Sequence, residues 1–147
     1  MADTFTPDKE QAGSGAPTCR VIRPNSTYAG KQGFDYLAGI ASETVGSKAI
    51  CMHLLEIPPG GRAKAHKHDS HETAIYMLEG TVVTYYGDHL EHRMENRAGD
   101  LIYIPANVPH LPMNLSDKPA KAVIARTDPN EQESVTLLPE LEALVPE

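Results

Sequence analysis

Three of the chain's seven histidines fall within Ala65-His66-Lys67-His68-Asp69-Ser70-His71-Glu72. Residues two apart on a strand leave the same face, so His66 and His68 can aim two imidazoles at one point. Imidazole nitrogen suits a divalent transition metal such as Fe, Mn, Ni, Zn or Co at about 2.0–2.2 Å, whereas calcium and magnesium prefer oxygen. A third ligand must come from elsewhere in the chain. His110, which closes Pro105-Ala106-Asn107-Val108-Pro109-His110 just after an apolar stretch, is the candidate. Three neutral imidazoles leave an ion near its full charge. Such an ion acts as a Lewis acid on a chelating oxygen or, if redox-active, binds dioxygen beside a substrate.

A lone His-x-His is more often solvated or hydrogen-bonded than metal-bound, so the surrounding elements decide. Turn signals recur at short intervals: Pro58-Pro59-Gly60-Gly61, Glu79-Gly80, Gly87-Asp88, Ala98-Gly99-Asp100, Pro105-Ala106-Asn107 and Ser116-Asp117-Lys118-Pro119. Between them lie β-rich segments at 50–57, 74–78, 81–86, 101–104 and 122–125. Short strands at near-regular spacing with Gly and Pro turns predict an all-β sandwich or barrel. Residues 1–18 mix Gly, Ser, Pro and charge and read as a flexible arm ahead of a single domain over 19–147. Val135 to Leu144 reads as a short helical or extended tail with Pro139 in its first turn.

Two spacings in this frame carry a resemblance. Gly60, five residues, His66, one residue, His68, then Gly80 matches the first signature of the cupin superfamily. Gly99, five residues, Pro105, then His110 and Asn114 matches the second. The chain resembles the small, single-domain, RmlC-like cupins of bacterial type over residues from about 45 to 126. The resemblance implies a double-stranded β-helix, or jelly-roll, barrel with one metal in its mouth, held by His66, His68 and His110. It also implies action on a small oxygenated metabolite by dioxygenase, decarboxylase or isomerase chemistry. The alternative is a cupin that binds or senses a small ligand without turnover.

Two departures bear on the ligand set. Most metal-binding cupins carry a glutamate ligand seven residues before the closing glycine, where this chain has Thr73. Glu72 stands one step earlier, and one step along a strand turns a side chain to the opposite face unless a bulge intervenes. The stretch from Glu72 to Gly80 is similar to that of the pirins, in which the resemblance implies no glutamate ligand. Glu72 and His71 are therefore rival fourth ligands, water completes the site otherwise, and Glu72 is the candidate general base. Thr73, Ile75 and Met77 share one face and, with Tyr103, are expected to line the pocket. The second departure is Asn107 where the motif usually has glycine; asparagine tolerates the left-handed backbone that this turn needs.

His53 reads as a satisfied strand histidine, and His89 and His92 as solvated. The net charge of −7, from 20 acidic and 13 basic residues, argues against nucleic acid and anionic membranes as partners. The N-terminal residues lack a signal-like pattern and no apolar run is long enough to span a bilayer, so the expected compartment is the cytoplasm. Cys19 and Cys51, far apart in sequence, read as thiols. A homodimer is expected, using edge strands, the apolar start of the domain or the tail's Leu137, Leu138, Leu141 and Leu144.

Overall fold

The computed structural model describes residues 17–25, 27–130 and 134–146; most of the arm expected over 1–18 lies outside them. The strands are β1 Thr27–Ala29, β2 Asp35–Ile40, β3 Cys51–Ile57, β4 His66–His68, β5 Thr73–Glu79, β6 Thr81–Tyr86, β7 His92–Arg97, β8 Leu101–Ile104, β9 His110–Met113, β10 Ala120–Arg126 and β11 Val135–Leu137. One helical turn, α1 (Ser42–Val45), follows β2, and a 3₁₀ helix (Pro139–Leu144) with Pro139 in its first turn follows β11. The strands form two antiparallel sheets, β1-β2-β3-β10-β5-β8 and β11-β4-β9-β6-β7.

Alternation along each strand decides what faces inward. In β3, Cys51, His53, Leu55 and Ile57 are buried while Met52, Leu54 and Glu56 are exposed. β10 repeats the pattern with Ala120, Ala122, Ile124 and Arg126 buried. Between the sheets, Phe34, Tyr36, Leu55, Ile57, Met77, Val82, Ala122 and Ile124 form the main core. A second cluster lies on the far side of the five-stranded sheet, where Ala65, Val83, Leu90, Leu111 and Met113 meet Val145, with Leu138 and Leu141 packed against them. The tail is thus a cover for its own barrel: Arg62 donates to the carbonyls of Glu142 and Pro146 and ties it down.

The turns expected from sequence act through backbone conformation. Asn107 has φ +66°, the left-handed geometry its amide side chain tolerates, and its N–H donates to His68 O at 2.7 Å. That bond ties the turn of the second motif to the strand of the first. Gly80, between β5 and β6, has φ +79°, and a Cβ there would lie 2.8 Å from the Ala120 Cα and the Pro119 carbonyl oxygen. We expect Gly80→Ala to cost about 2–4 kcal/mol, from left-handed backbone strain plus the clash with a neighbouring backbone. Urea titration would check this, and an unchanged midpoint would contradict it.

Among the described residues nothing packs over the outer face of the six-stranded sheet. Met52, Leu54, Tyr76, Leu78, Leu101 and Tyr103 are all exposed there.

Candidate metal centre

Strand pairing brings the three histidines together. β4 lies beside β9 with His66 directly opposite His110, and His68 leaves β4 on the same face as His66. The three rings are buried. Their centroids stand 4.2 Å apart for His66–His110, 5.2 Å for His66–His68 and 5.5 Å for His68–His110. Each ring offers a nitrogen within 4.8 Å of the others', so small side-chain rotations bring all three to bonding distance of one ion.

Hydrogen bonding sets the tautomers. His66 Nδ1 donates to the Lys64 carbonyl at 2.7 Å and His110 Nδ1 to the Val108 carbonyl at 2.9 Å. Each bond leaves Nε2 as a lone pair, the outer-shell pattern of a metal-ligating histidine. His68 differs: both ring nitrogens are buried and neither has a hydrogen-bond partner among the described residues. A buried polar atom without a partner is costly and rare. Two on one ring, facing a pair of lone-pair nitrogens, fit a site built to be completed by an ion.

Electrostatics keep the rings in the ligating form. Burial, then the neighbouring His110 charge and more weakly Arg126, holds His66 well below the usual imidazole value; its bond to Lys64 opposes the shift. Burial and the Arg126 guanidinium do the same, strongly, at His68. Burial pushes His110 down to about 4, against its bond to Val108 and with the help of Arg126 and His71. All three are neutral lone-pair donors near neutral pH.

The other expected site residues divide. His71 is buried with its ring 4.5 Å from that of His68, but its Nδ1 lies 2.6 Å from Ser134 Oγ and 3.2 Å from Asp128 Oδ2. It stands beside the converging trio, not within it. Glu72 turns away. It precedes an inward row of Thr73, Ile75 and Met77, no bulge restores its direction, and its Oε1 accepts a 2.6 Å hydrogen bond from Tyr103 Oη at the surface. The expectations of Glu72 as ligand or base and of Tyr103 as pocket lining are corrected by the same parity, since Tyr103 lies on the outward row of β8, 61% exposed. Their hydrogen bond also raises the Tyr103 hydroxyl's pKa.

Ile75 and Met77 line a cavity of about 60 Å³. Its apolar wall also includes Phe34, Leu55, Ile102 and Ile104, and its polar end is formed by His66, His110, Gln32, Thr84, Asn96 and Arg126. Thr73 does not reach the cavity; it sits opposite Arg126 in register and accepts from its Nε at 3.2 Å. Arg126 was legible as the end of β10's inward row, but an expected strand stopping at Ala125 left it out. His53, as expected, is a strand histidine whose Nδ1 accepts from the Gly39 N–H at 3.1 Å.

Two antiparallel sheets wrapped as a double-stranded β-helix around an inward histidine cluster define a cupin, and the chain belongs to the cupin superfamily: its cupin-domain family matches residues 53–125. Among particular proteins, the chain is 30% identical over 82 residues to an uncharacterized protein of Methanocaldococcus jannaschii, covering 56% of this chain and 63% of that one, less than two thirds of the relative's length. The fold is shared with the polyketide cyclase RemF of Streptomyces resistomycificus (TM-score 0.63, 22% identity, 85% of each chain covered). It is shared too with an oxalate oxidase (TM-score 0.67, 17% identity, 94% of this chain and 71% of that one).

Proposed function

We propose that the chain is a metal-dependent enzyme in which His66, His68 and His110 hold one divalent transition metal, Fe, Mn, Ni, Zn or Co. It turns over a small oxygenated metabolite by dioxygenase, decarboxylase or isomerase chemistry. The observation that carries this reading is His68, a buried ring with no hydrogen-bond partner on either nitrogen among the described residues, facing two imidazoles whose tautomers are fixed for ligation. When bound, such an ion supplies Lewis-acid or, if redox-active, dioxygen chemistry. The chain's own residues exclude water through the aliphatic wall and orient the ligand at the polar end. Elemental analysis of protein purified without a nickel column tests the reading. About one transition-metal ion per chain supports it; none, with no uptake on dialysis against these ions, rejects it.

One observation favours binding without turnover. Among the described residues lining the cavity there is no carboxylate or thiol to serve as a general base. Metal-loaded protein that binds small oxygenated compounds but neither consumes dioxygen nor releases carbon dioxide would select that reading.

A homodimer across the outer face of the six-stranded sheet completes the proposal. Its middle, Met52, Leu54, Tyr76 and Leu101, is a contiguous apolar surface of the kind that marks an interface. At one end of this face Glu56 and Lys121 are paired in register with opposite signs, and at the other Glu72 accepts from Tyr103, which leaves the apolar middle to meet a two-fold copy. Light scattering coupled to size exclusion is expected to give twice the chain mass, and Leu101→Glu the monomer. A monomeric wild type at micromolar concentration would contradict it.

A further inference from the structure

Asn96 is 6% exposed and is the buried residue of β7, an edge strand whose other side chains are exposed or half-buried. A buried carboxamide brings an acceptor and two donors that need partners, where an apolar residue would bring none. Its acceptor is satisfied, since Thr84 Oγ1 donates to Asn96 Oδ1 at 2.9 Å. Among the described residues no group accepts from its Nδ2. Asn96 lines the same cavity as His66 and His110. With Oδ1 turned to Thr84, the donors of Nδ2 are what it presents there.

The other polar residues of the cavity wall are engaged elsewhere. His66 and His110 converge with His68. Arg126 donates to Thr73, and both it and Gln32 have further interactions within the chain. The Thr84 hydroxyl proton goes to Asn96. Along the inner wall, Tyr86 of β6 pairs with His110 and Val82 of β6 with Asn96, so the step from position 86 to position 82 offsets Asn96 from the histidines by about 13 Å of strand. The permanent charge in the wall, Arg126, acts on all three histidine rings, whereas the partner of Asn96 in register is the aliphatic Val82. A carboxylate held by a neutral amide alone would carry a large desolvation cost, and a carbonyl or ether oxygen a small one. We infer that Asn96 is a specificity-determining residue, donating from Nδ2 to a neutral acceptor oxygen (of a ketone, ester or ether) on the end of the ligand remote from the histidines. A site built to donate to an oxygen discriminates strongly against the analogue that lacks it. This names the ligand class of the proposed metal site and rests on that reading for the chemistry at the metal end, though not for binding at Asn96.

Acetone, small enough for a cavity of about 60 Å³, is the probe, and isobutene, with a methylene in place of the carbonyl oxygen, is its shape control. Both are titrated into isotope-labelled full-length protein, metal-stripped and zinc-loaded, and followed by NMR. In both forms acetone is expected to move the Asn96 side-chain amide protons downfield, as donation to an oxygen does, and isobutene is not. The double variant Thr84→Val/Asn96→Leu removes both members of the pair and strands neither. It is expected to bind acetone about 5-fold or more weakly than wild type, and isobutene no more weakly. Wild-type amide protons that stay in place at the highest acetone concentration the fold tolerates would overturn the inference whatever the variant does, and so would undiminished acetone binding by the folded variant. Should the variant fail to fold, the wild-type spectra decide. Failure of the histidines to bind metal would reject the proposed enzyme yet leave the acetone response of the stripped protein in place, so the two failures are distinguishable.

Discussion

Replacing His68 by leucine is expected to weaken metal binding by roughly 100-fold or more and at the same time to stabilise the metal-free protein by about 1–3 kcal/mol. The two effects have one origin. Without an ion, His68 buries two ring nitrogens that hydrogen-bond to nothing described, and leucine fills a similar volume without that cost. His66 and His110 are different, because their Nδ1 atoms satisfy the Lys64 and Val108 carbonyls. His66→Leu and His110→Leu would strand those acceptors and are expected to lose stability as well as metal. Competition with a chromophoric chelator reads the affinity and urea titration reads the stability. A His68→Leu protein that binds metal as wild type does, or that is less stable than wild type without metal, would contradict the account. A residue that weakens the empty scaffold and strengthens the occupied one marks a functional position.

Metal-free protein is expected to lose stability as pH falls from 7 to 4. In the unfolded chain the imidazoles take up protons near their ordinary value of about 6.5. In the folded chain burial pushes His110 down to about 4. Between those values the unfolded state binds more protons, so stability is fully present above about 6.5 and is lost progressively as pH falls toward about 4. His110 alone accounts for about 3 kcal/mol of that loss. His66 and His68, also depressed by burial, act with the same sign. Carboxylates contribute a background slope, which a His110→Asn variant retains while losing the imidazole's part. Unfolding free energies from urea titrations at pH 7, 5.5 and 4 should fall about 3 kcal/mol further in wild type than in the variant. Parallel curves would mean that His110 titrates normally and that the centre is wetter than its burial shows.

The strands legible in the sequence were those with one apolar face between strong turns, and Cys51–Ile57, Thr81–Tyr86 and Leu101–Ile104 lie where alternation and the Gly and Pro signals put them. His92–Arg97 was not among the β-rich segments legible in the sequence because it is an edge strand of the second sheet, and of its six residues only Asn96 is buried. His110–Met113 was hidden by Pro112 and by its shortness. The convergence of His66, His68 and His110 was legible because motif spacing encodes it. The fate of Glu72 depended on a single step of strand parity that spacing alone left open, and the structure resolves it outward. The tail's leucines carry no mark in the sequence of whether they cover their own barrel or a partner; Leu138 and Leu141 pack on the five-stranded sheet, and the other sheet's apolar face has no cover among the described residues.

The central claim, that three imidazoles share one ion inside the barrel, is tested most directly by X-ray absorption at the edge of the metal in loaded wild-type protein. The account predicts a first shell containing three imidazole nitrogens at about 2.0–2.2 Å, with their characteristic outer-shell scattering. A shell of oxygens with one imidazole or none would contradict it.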